Sequence, residues 1–324
     1  MTLSLGLRPR RVDFLPVFLF GRGEGGILID PSSPLFQNTG GTTPVTAPEQ
    51  GVVFATDFSG NGLNATQETA DERPRNGIVP KGGRRNLLLH SEDYTNAVWV
   101  KNGNISVSGN ELTYTASTSD WLRQRIAISG ATSGRDFTFS VDLRGSSGGE
   151  DIDLEIVEFG GASGAAATAS SAKTLTDETV RYSVSGTVGA NDRTLLELRI
   201  RNGNGALAPT ITAERPQVDE ASAATDYQKV VSQYEVTEEG IPTRRYIQGD
   251  GGDSLNSTLP DLGTDATVAY ASDQGITIQT GQTIGAGAFD VLRDSQLFGM
   301  IVVDRALTAA ETAQVTQYLE TKGL

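Results

Sequence analysis

Apolar and polar residues alternate most plainly in the middle of the chain. Phe137, Phe139, Val141 and Leu143 share one parity, and the pattern returns in Ile152, Leu154 and Ile156, in Val180, Tyr182 and Val184, and in Leu196, Leu198 and Ile200. A period of two places one side of a strand in a core and the other in water. Strands are predicted at 104–108, 111–116, 121–129, 137–144, 152–159, 180–188, 195–202 and 209–215, with GSSGGE and GGASGAAATAS as connections. Eight short strands at this spacing predict two antiparallel sheets packed face to face.

The flanks have a different texture. Before residue 86 there are brief β-like runs at 17–20, 26–29 and 51–54, a Pro-rich loop at 30–51, and the turn DFSGNGLNATQ at 57–67. That turn admits two readings: side chains bonding backbone amides, or oxygens gathered around a calcium ion. After Tyr227, strands are predicted at 245–255, 267–271, 276–280 and 297–303. One helix follows. Thr308 and Glu311 have capping-box spacing, Gly323 marks the stop, and Val315, Tyr318 and Leu319 share a face.

Neither flank has enough strands for a sandwich of its own. The economical architecture is an all-β protein of two β-sandwiches, one inserted into the other, plus the C-terminal α-helix. The expected parts are an arm at 1–20, an outer sandwich from 21–85 plus 231–324, and an inserted sandwich at 86–230. Insertion requires Asn86 and Val230 to lie close in space. Three small units in series are the alternative.

Composition narrows the function. Forty Asp and Glu against 26 Lys and Arg give a net charge of −14, which argues against a nucleic-acid partner, because phosphate binding draws on clustered cations. Without cysteine the chain has neither disulfides nor thiolate metal sites. The apolar run 12–20 is too short to span a bilayer and contains Pro16. Arg8, Arg10 and Arg11 precede it as in a signal peptide, but GRGEGG follows instead of a cleavage site. An N-terminal arm is therefore expected, with no membrane insertion. His90 is the only histidine, and no pair of carboxylates is singled out for glycosidase chemistry. No enzyme is expected.

LFQNTGGTTPVTAPEQG, DFSGNGLNATQ, RRNLLLHSEDYTNAVW, ERPQVDEASAATDYQKV and DRALTAAETAQVTQYLETKG together cover widely spaced parts of the chain. As a set they resemble proteins of α-proteobacterial tailed phages and phage-derived gene transfer agents. The first, second and last are similar to pieces of a concanavalin A-like or laminin-G-like sandwich. The third and fourth are similar to the ends of a carbohydrate-binding-module-like jelly roll. Where such outer sandwiches carry an aromatic followed by DGxDD, this chain has GDGGDS at 249–254. The resemblance implies a virion structural protein: a fibre, spike or decoration subunit on tail or capsid, assembled in the host cytoplasm. It also implies other virion proteins and a homo-oligomer as partners, with a host cell-surface polysaccharide as a further one. No cofactor is expected, with calcium left open.

Two candidate surfaces follow. On strand 121–129, Leu122, Ile126 and Ile128 share one face and Trp121, Arg123 and Arg125 the other. An indole beside two guanidinium forks suits an acidic sugar. Alternatively, the arginines pair across the sheet with the acidic stripe Glu150, Asp151, Asp153 and Glu155, or with the mixed stripe Glu197, Arg199 and Arg201. The second surface is the arm, where Arg8, Arg10, Arg11, Phe14, Phe18 and Phe20 are expected to meet a neighbouring virion protein. Trp99 is expected in the core with Tyr94. Host attachment, a ligand-free cement or fibre-base role, and a polysaccharide depolymerase are the competing functions.

Overall fold

The computed structural model describes residues 18–118, 120–160 and 165–323. They divide into two compact units: one from the two ends of the chain, up to Gly83 and from Pro242, and one from Arg84–Ile241. The N-terminal piece contributes β1 (Gly26–Ile29), β2 (Leu35–Phe36), β3 (Phe54–Ala55), β4 (Ala65–Thr66) and β5 (Arg75–Pro80). The middle unit contributes β6 (Val100–Asn102), β7 (Ser106–Ser108), β8 (Glu111–Thr113), β9 (Trp121–Ala127), β10 (Asp136–Gly145) and β11 (Asp151–Phe159). It continues with β12 (Ala166–Thr174), β13 (Val180–Thr187), β14 (Leu195–Asn202), β15 (Thr210–Asp219), β16 (Gln228–Ser232) and β17 (Glu235–Glu238). The C-terminal piece carries β18 (Thr243–Gln248), β19 (Asn256–Leu259), β20 (Gly263–Ser272), β21 (Gly275–Ile284), β22 (Gly287–Asp290), β23 (Gln296–Val303) and α1 (Ala309–Lys322).

The middle unit is a sandwich of two five-stranded antiparallel sheets, ordered β13-β10-β15-β8-β7 and β12-β11-β14-β9-β6. Phe137, Phe139, Val141 and Leu143 project inward from the first sheet. Leu122, Ile126, Ile152, Leu154, Ile156, Leu196, Leu198 and Ile200 project inward from the second, and all are buried in one cluster. Period-two alternation accounts for both inner faces. Trp99 joins this core edge-to-face with Tyr94 at 4.9 Å, and its indole N–H donates to the His90 carbonyl at 2.9 Å.

Three details depart from the sequence expectation. β12 falls where a connection was predicted, because its Ala and Ser side chains carry no apolar alternation and it forms the sheet's edge. β15 extends to Asp219 through a bulge at which Arg215 takes a φ of +50°. Residues 231–241, expected with the outer sandwich, carry the end of β16 and all of β17, which form one hairpin, and the division into two units falls after Ile241.

The two ends of the middle unit are tied by Asn86, which is fully buried. Its amide donates to the carbonyls of Gln228 (2.9 Å) and Pro216 (3.2 Å), and its oxygen accepts from Leu88 N–H (3.1 Å) and Val218 N–H (3.2 Å). Ser91 N–H donates to the Val230 carbonyl at 2.8 Å, and Val230 N–H to the Ser91 hydroxyl at 3.0 Å.

In the other unit, one sheet runs β5-β18-β23-β20-β21, with β1 also paired to β23, and the second runs β2-β3-β4-β19-β22. Ile27, Ile29, Leu35, Ile247, Leu259, Val268, Met300 and Val302 are among its core residues. Gly77 lies opposite Tyr246, and a Cβ there would overlap the tyrosine ring, so this position admits no side chain. Asp57 organises the 57–67 turn as an internal anchor: its carboxylate accepts from Leu28 and Ser59 N–H, the Ser59 hydroxyl and Leu63 N–H. The helix α1 starts in a complete capping box of Thr308 and Glu311, and buries Val315 and Leu319. Tyr318 and Lys322 both donate to Asp30, at 3.1 and 2.7 Å.

At the start of this unit, Phe18–Phe20 form a helical turn where a strand was predicted. Short apolar runs do not distinguish helix from strand by periodicity. Leu19 and Phe20 are buried, and Phe18 is exposed.

Candidate functional site

Strand alternation sends Leu122, Gln124 and Ile126 of β9 inward, so Trp121, Arg123 and Arg125 point outward. Register decides what they meet. Trp121 stands opposite Arg201, Arg123 opposite Arg199, and Arg125 opposite Glu197 on β14. On the far side of β14, Arg201 faces Asp153 and Arg199 faces Glu155 of β11. One sheet face therefore assembles four arginines and three carboxylates around one tryptophan.

Glu197 is the centre of this lattice. It accepts from Arg125 Nε at 2.6 Å, from Arg199 Nε at 2.5 Å and from Arg123, and the three guanidiniums cover it so fully that its side chain is 0% exposed. Burial pushes its carboxyl up, but the bonds from Arg125, Arg199 and Arg123 outweigh that and hold it below the usual range. Arg199 also reaches Glu155 at 3.3 Å, and Arg201 reaches Asp153 at 2.5 Å and Glu155 at 2.9 Å.

Trp121 is half-buried. The guanidinium carbons of Arg123 and Arg199 lie 4.6 and 5.3 Å from its ring centroid, and that of Arg125 lies 4.9 Å from the Phe159 ring. Such contacts contribute about 0.5–1 kcal/mol each at exposed sites. They also fix the indole and the forks relative to one another. Arg125 is the most open of the four, its side chain 45% exposed. A guanidinium carries five N–H donors, more than these ion pairs consume. The face thus offers an apolar ring edge and planar cationic donors held by an ionic scaffold.

Trp121, Arg123 and Arg125 share one face, and both arginines pair with Glu197 of the mixed stripe, while Asp153 and Glu155 of the acidic stripe pair with Arg199 and Arg201. Sequence reasoning did not attach Arg199 to Trp121, nor Phe159 to Arg125, because those contacts depend on which strands are neighbours. Of the arm residues, Arg8, Arg10, Arg11 and Phe14 lie outside the described residues. Phe18 is exposed, and Phe20 is only 7% exposed, packed within its own chain.

Two clefts lie elsewhere. One in the middle unit, of about 660 Å³, is lined by Glu92, Arg215, Asp226, Tyr227, Lys229 and Glu238 among others. One in the other unit, of about 580 Å³, surrounds the GDGGDS turn with Asp250, Asp253, Asp290, Arg293 and Asp294. Burial and then the nearby Asp250 charge raise the Asp253 carboxyl, even against bonds that favour its ionised form. Among the described residues no group of His, Cys, Asp and Glu is arranged to hold a metal ion, and no helix is long and apolar enough to cross a membrane.

No protein-family model matches the sequence, and neither does any curated protein. Solved structures do match. A CBM4 structure is 12% identical with a TM-score of 0.30, over 45% of this chain and 87% of its own. The CBM22-1 xylan-binding domain of Xyn10C from Paenibacillus barcinonensis is 17% identical with a TM-score of 0.32, over 43% and 96%. The enzymatically active domain of tailspike protein 4 from bacteriophage CBA120 is 14% identical with a TM-score of 0.30, over 42% of this chain and 21% of that one. The fold itself rests on the strand pairing above: the chain is all-β, two sandwiches and one C-terminal helix, and its structural neighbours include carbohydrate-binding-module jelly rolls and a phage tailspike domain.

Proposed function

We propose that this chain is a non-enzymatic virion subunit of a phage or phage-like particle that attaches to host-surface polysaccharide through the Trp121 face of its middle unit. The observation that carries the glycan reading is the outward indole flanked by Arg123 and Arg199 on an open sheet face, in a chain whose net charge is −14. Aromatic rings stack on the apolar faces of sugars, and guanidinium forks bond carboxylates, so the ligand class is an acidic polysaccharide. The virion role rests on the sequence resemblance. A glycan array probed with the full chain and with Trp121→Ala tests the binding: loss of acidic-glycan signal in a folded variant supports it, and absence of any signal from the wild type overturns it. Labelling intact particles with an antibody to the chain tests the virion role.

A second reading is favoured by the closure of three arginines over Glu197. In that reading the lattice is a surface scaffold and the protein a ligand-free cement or fibre-base subunit. A blank glycan array together with particle labelling would select it.

A further inference from the structure

β21 is the last strand of its sheet, ten residues long, and it pairs with β20 alone among the described residues. In an antiparallel ladder alternate residues direct N–H and C=O to the same neighbour, so every second residue of β21 points both groups away from β20. Proteins guard such edges with charge, proline, bulges or shortness. The other free edges here carry these guards. Among the described strands β12 has Lys173, β13 has Arg181 and β16 has Lys229, while β1, β6, β7, β2 and β22 are two to four residues long. β21 has neither charge nor proline, and no ionisable side chain occurs from Gln274 to Phe289. Register shifts affect only its far half; Gly275–Gln279 lie in regular pairing with Val268–Ser272.

We propose that two copies of the chain join along this edge, β21 against β21, antiparallel about a two-fold axis. Charge chooses the occupant. Two copies at −14 repel, and the cost of close approach is least where the contacting segments carry no charge. A basic partner would gain nothing from an uncharged edge. An antiparallel strand is also complementary to itself, and its Thr, Gln and Ile side chains place uncharged residues opposite uncharged residues. Pairing would cover Ile276, now 37% exposed. One strand pair makes a small interface, so the dimer is weak alone and strengthened where copies are tethered side by side. The inference is independent of glycan binding.

Sedimentation velocity on the full chain, from about 10 µM to about 1 mM, is expected to show a monomer–dimer equilibrium in this weak range. Ile276→Glu with Thr280→Glu sets like charges across the axis and should raise the dissociation constant by about tenfold. Circular dichroism and the melting temperature establish that this variant is folded. Because the chain lacks cysteine, a spin label on Thr280→Cys reports only on that position, and the distance between copies should stay below about 35 Å, the length of a ten-residue strand. A wild type that is monomeric throughout, a dimer indifferent to the glutamates, or a longer spin–spin distance overturns the proposal. So does dimerisation that appears only after residues 1–17 are deleted, which would make that segment the occupant of the edge.

Discussion

The two sheets of the middle unit present outward faces that are both polar and have opposite fates. On β10 and β15, Thr138, Ser140, Asp142, Gln217 and Asp219 point away from the sandwich core yet are at most 2% exposed. Thr138 bonds the Ala221 carbonyl, Gln217 and Asp219 bond Thr225, and Arg181 and Arg215 close on Asp142. These groups are consumed by the chain's own connections. On β9 and β14, the outward arginines stay partly exposed, from 17% for Arg123 to 45% for Arg125, and are held by an ionic lattice over the buried Glu197 and by the Trp121 and Phe159 rings. Polarity on a sheet face thus says little about function until it is known what covers it. The β9 face sets the Trp121 ring among guanidiniums held by an ionic lattice, whereas beside the covered face Arg215, Tyr227 and Lys229 line a cleft.

The largest expected effect lies on the covered side. Asn86→Ala removes four hydrogen bonds at a fully buried position and leaves backbone groups of Leu88, Pro216, Val218 and Gln228 without that partner. Buried groups left unsatisfied cost about 1–3 kcal/mol each, with relaxation recovering part, so the middle unit should lose about 3 kcal/mol in urea unfolding followed by the fluorescence of Trp99 and Trp121, which both lie in it. A loss under about 0.5 kcal/mol, the range of an ordinary surface substitution, would mean that the Asn86 tie contributes little.

Glu197→Gln tests the scaffold on the open side. It takes the one fully covered carboxylate from beneath three guanidiniums, and a loss of about 2 kcal/mol is expected, moderated because the arginines can turn to water. The same change frees donors for an anionic ligand, so acidic-glycan retention should be kept or increased while stability falls. Trp121→Ala should do the reverse: about a tenfold loss of glycan affinity, or 1.4 kcal/mol, with a small change in melting temperature. If the tryptophan variant loses stability and no affinity, the open face is structural and the contrast with the covered face disappears.

How far these features could be read in advance follows from where their causes lie. The inner faces of β9, β10, β11 and β14 and the start of α1 are local: alternation and the Thr308–Glu311 spacing specify them within a few residues. β12 escaped because Ala and Ser give no alternation, and the Phe18–Phe20 turn because three apolar residues suit helix and strand alike. Trp121, Arg123 and Arg125 were visible as one stripe. Their partners Glu197 and Arg199 are more than 70 residues away and meet them only through strand register. Asn86 carried no local mark of its role, since its partners lie as far as Gln228.

The smallest expected effect separates the two units by acid. Glu197 is held below its ordinary value of 4.5 in the folded protein, so on acidification the unfolded chain takes up its proton first. The stability that Glu197 contributes is therefore complete above about pH 5 and is lost as the pH falls through and below the ordinary glutamate range. Glu311 follows the same sign in the other unit, held at about 2 chiefly by its bond from Arg305, so its contribution fades between pH 4.5 and about 2. Urea midpoints measured from pH 6 to pH 3 should fall more steeply in the wild type than in Glu197→Gln for the transition reported by tryptophan fluorescence, since Trp99 and Trp121 both belong to the middle unit. Glu311→Gln should leave that slope unchanged, because its capping box lies in the other unit. Equal slopes in the wild type and Glu197→Gln would mean that the open lattice does not tie its carboxylate to folding, and that its arginines are as free to meet a ligand as those of an unpaired surface.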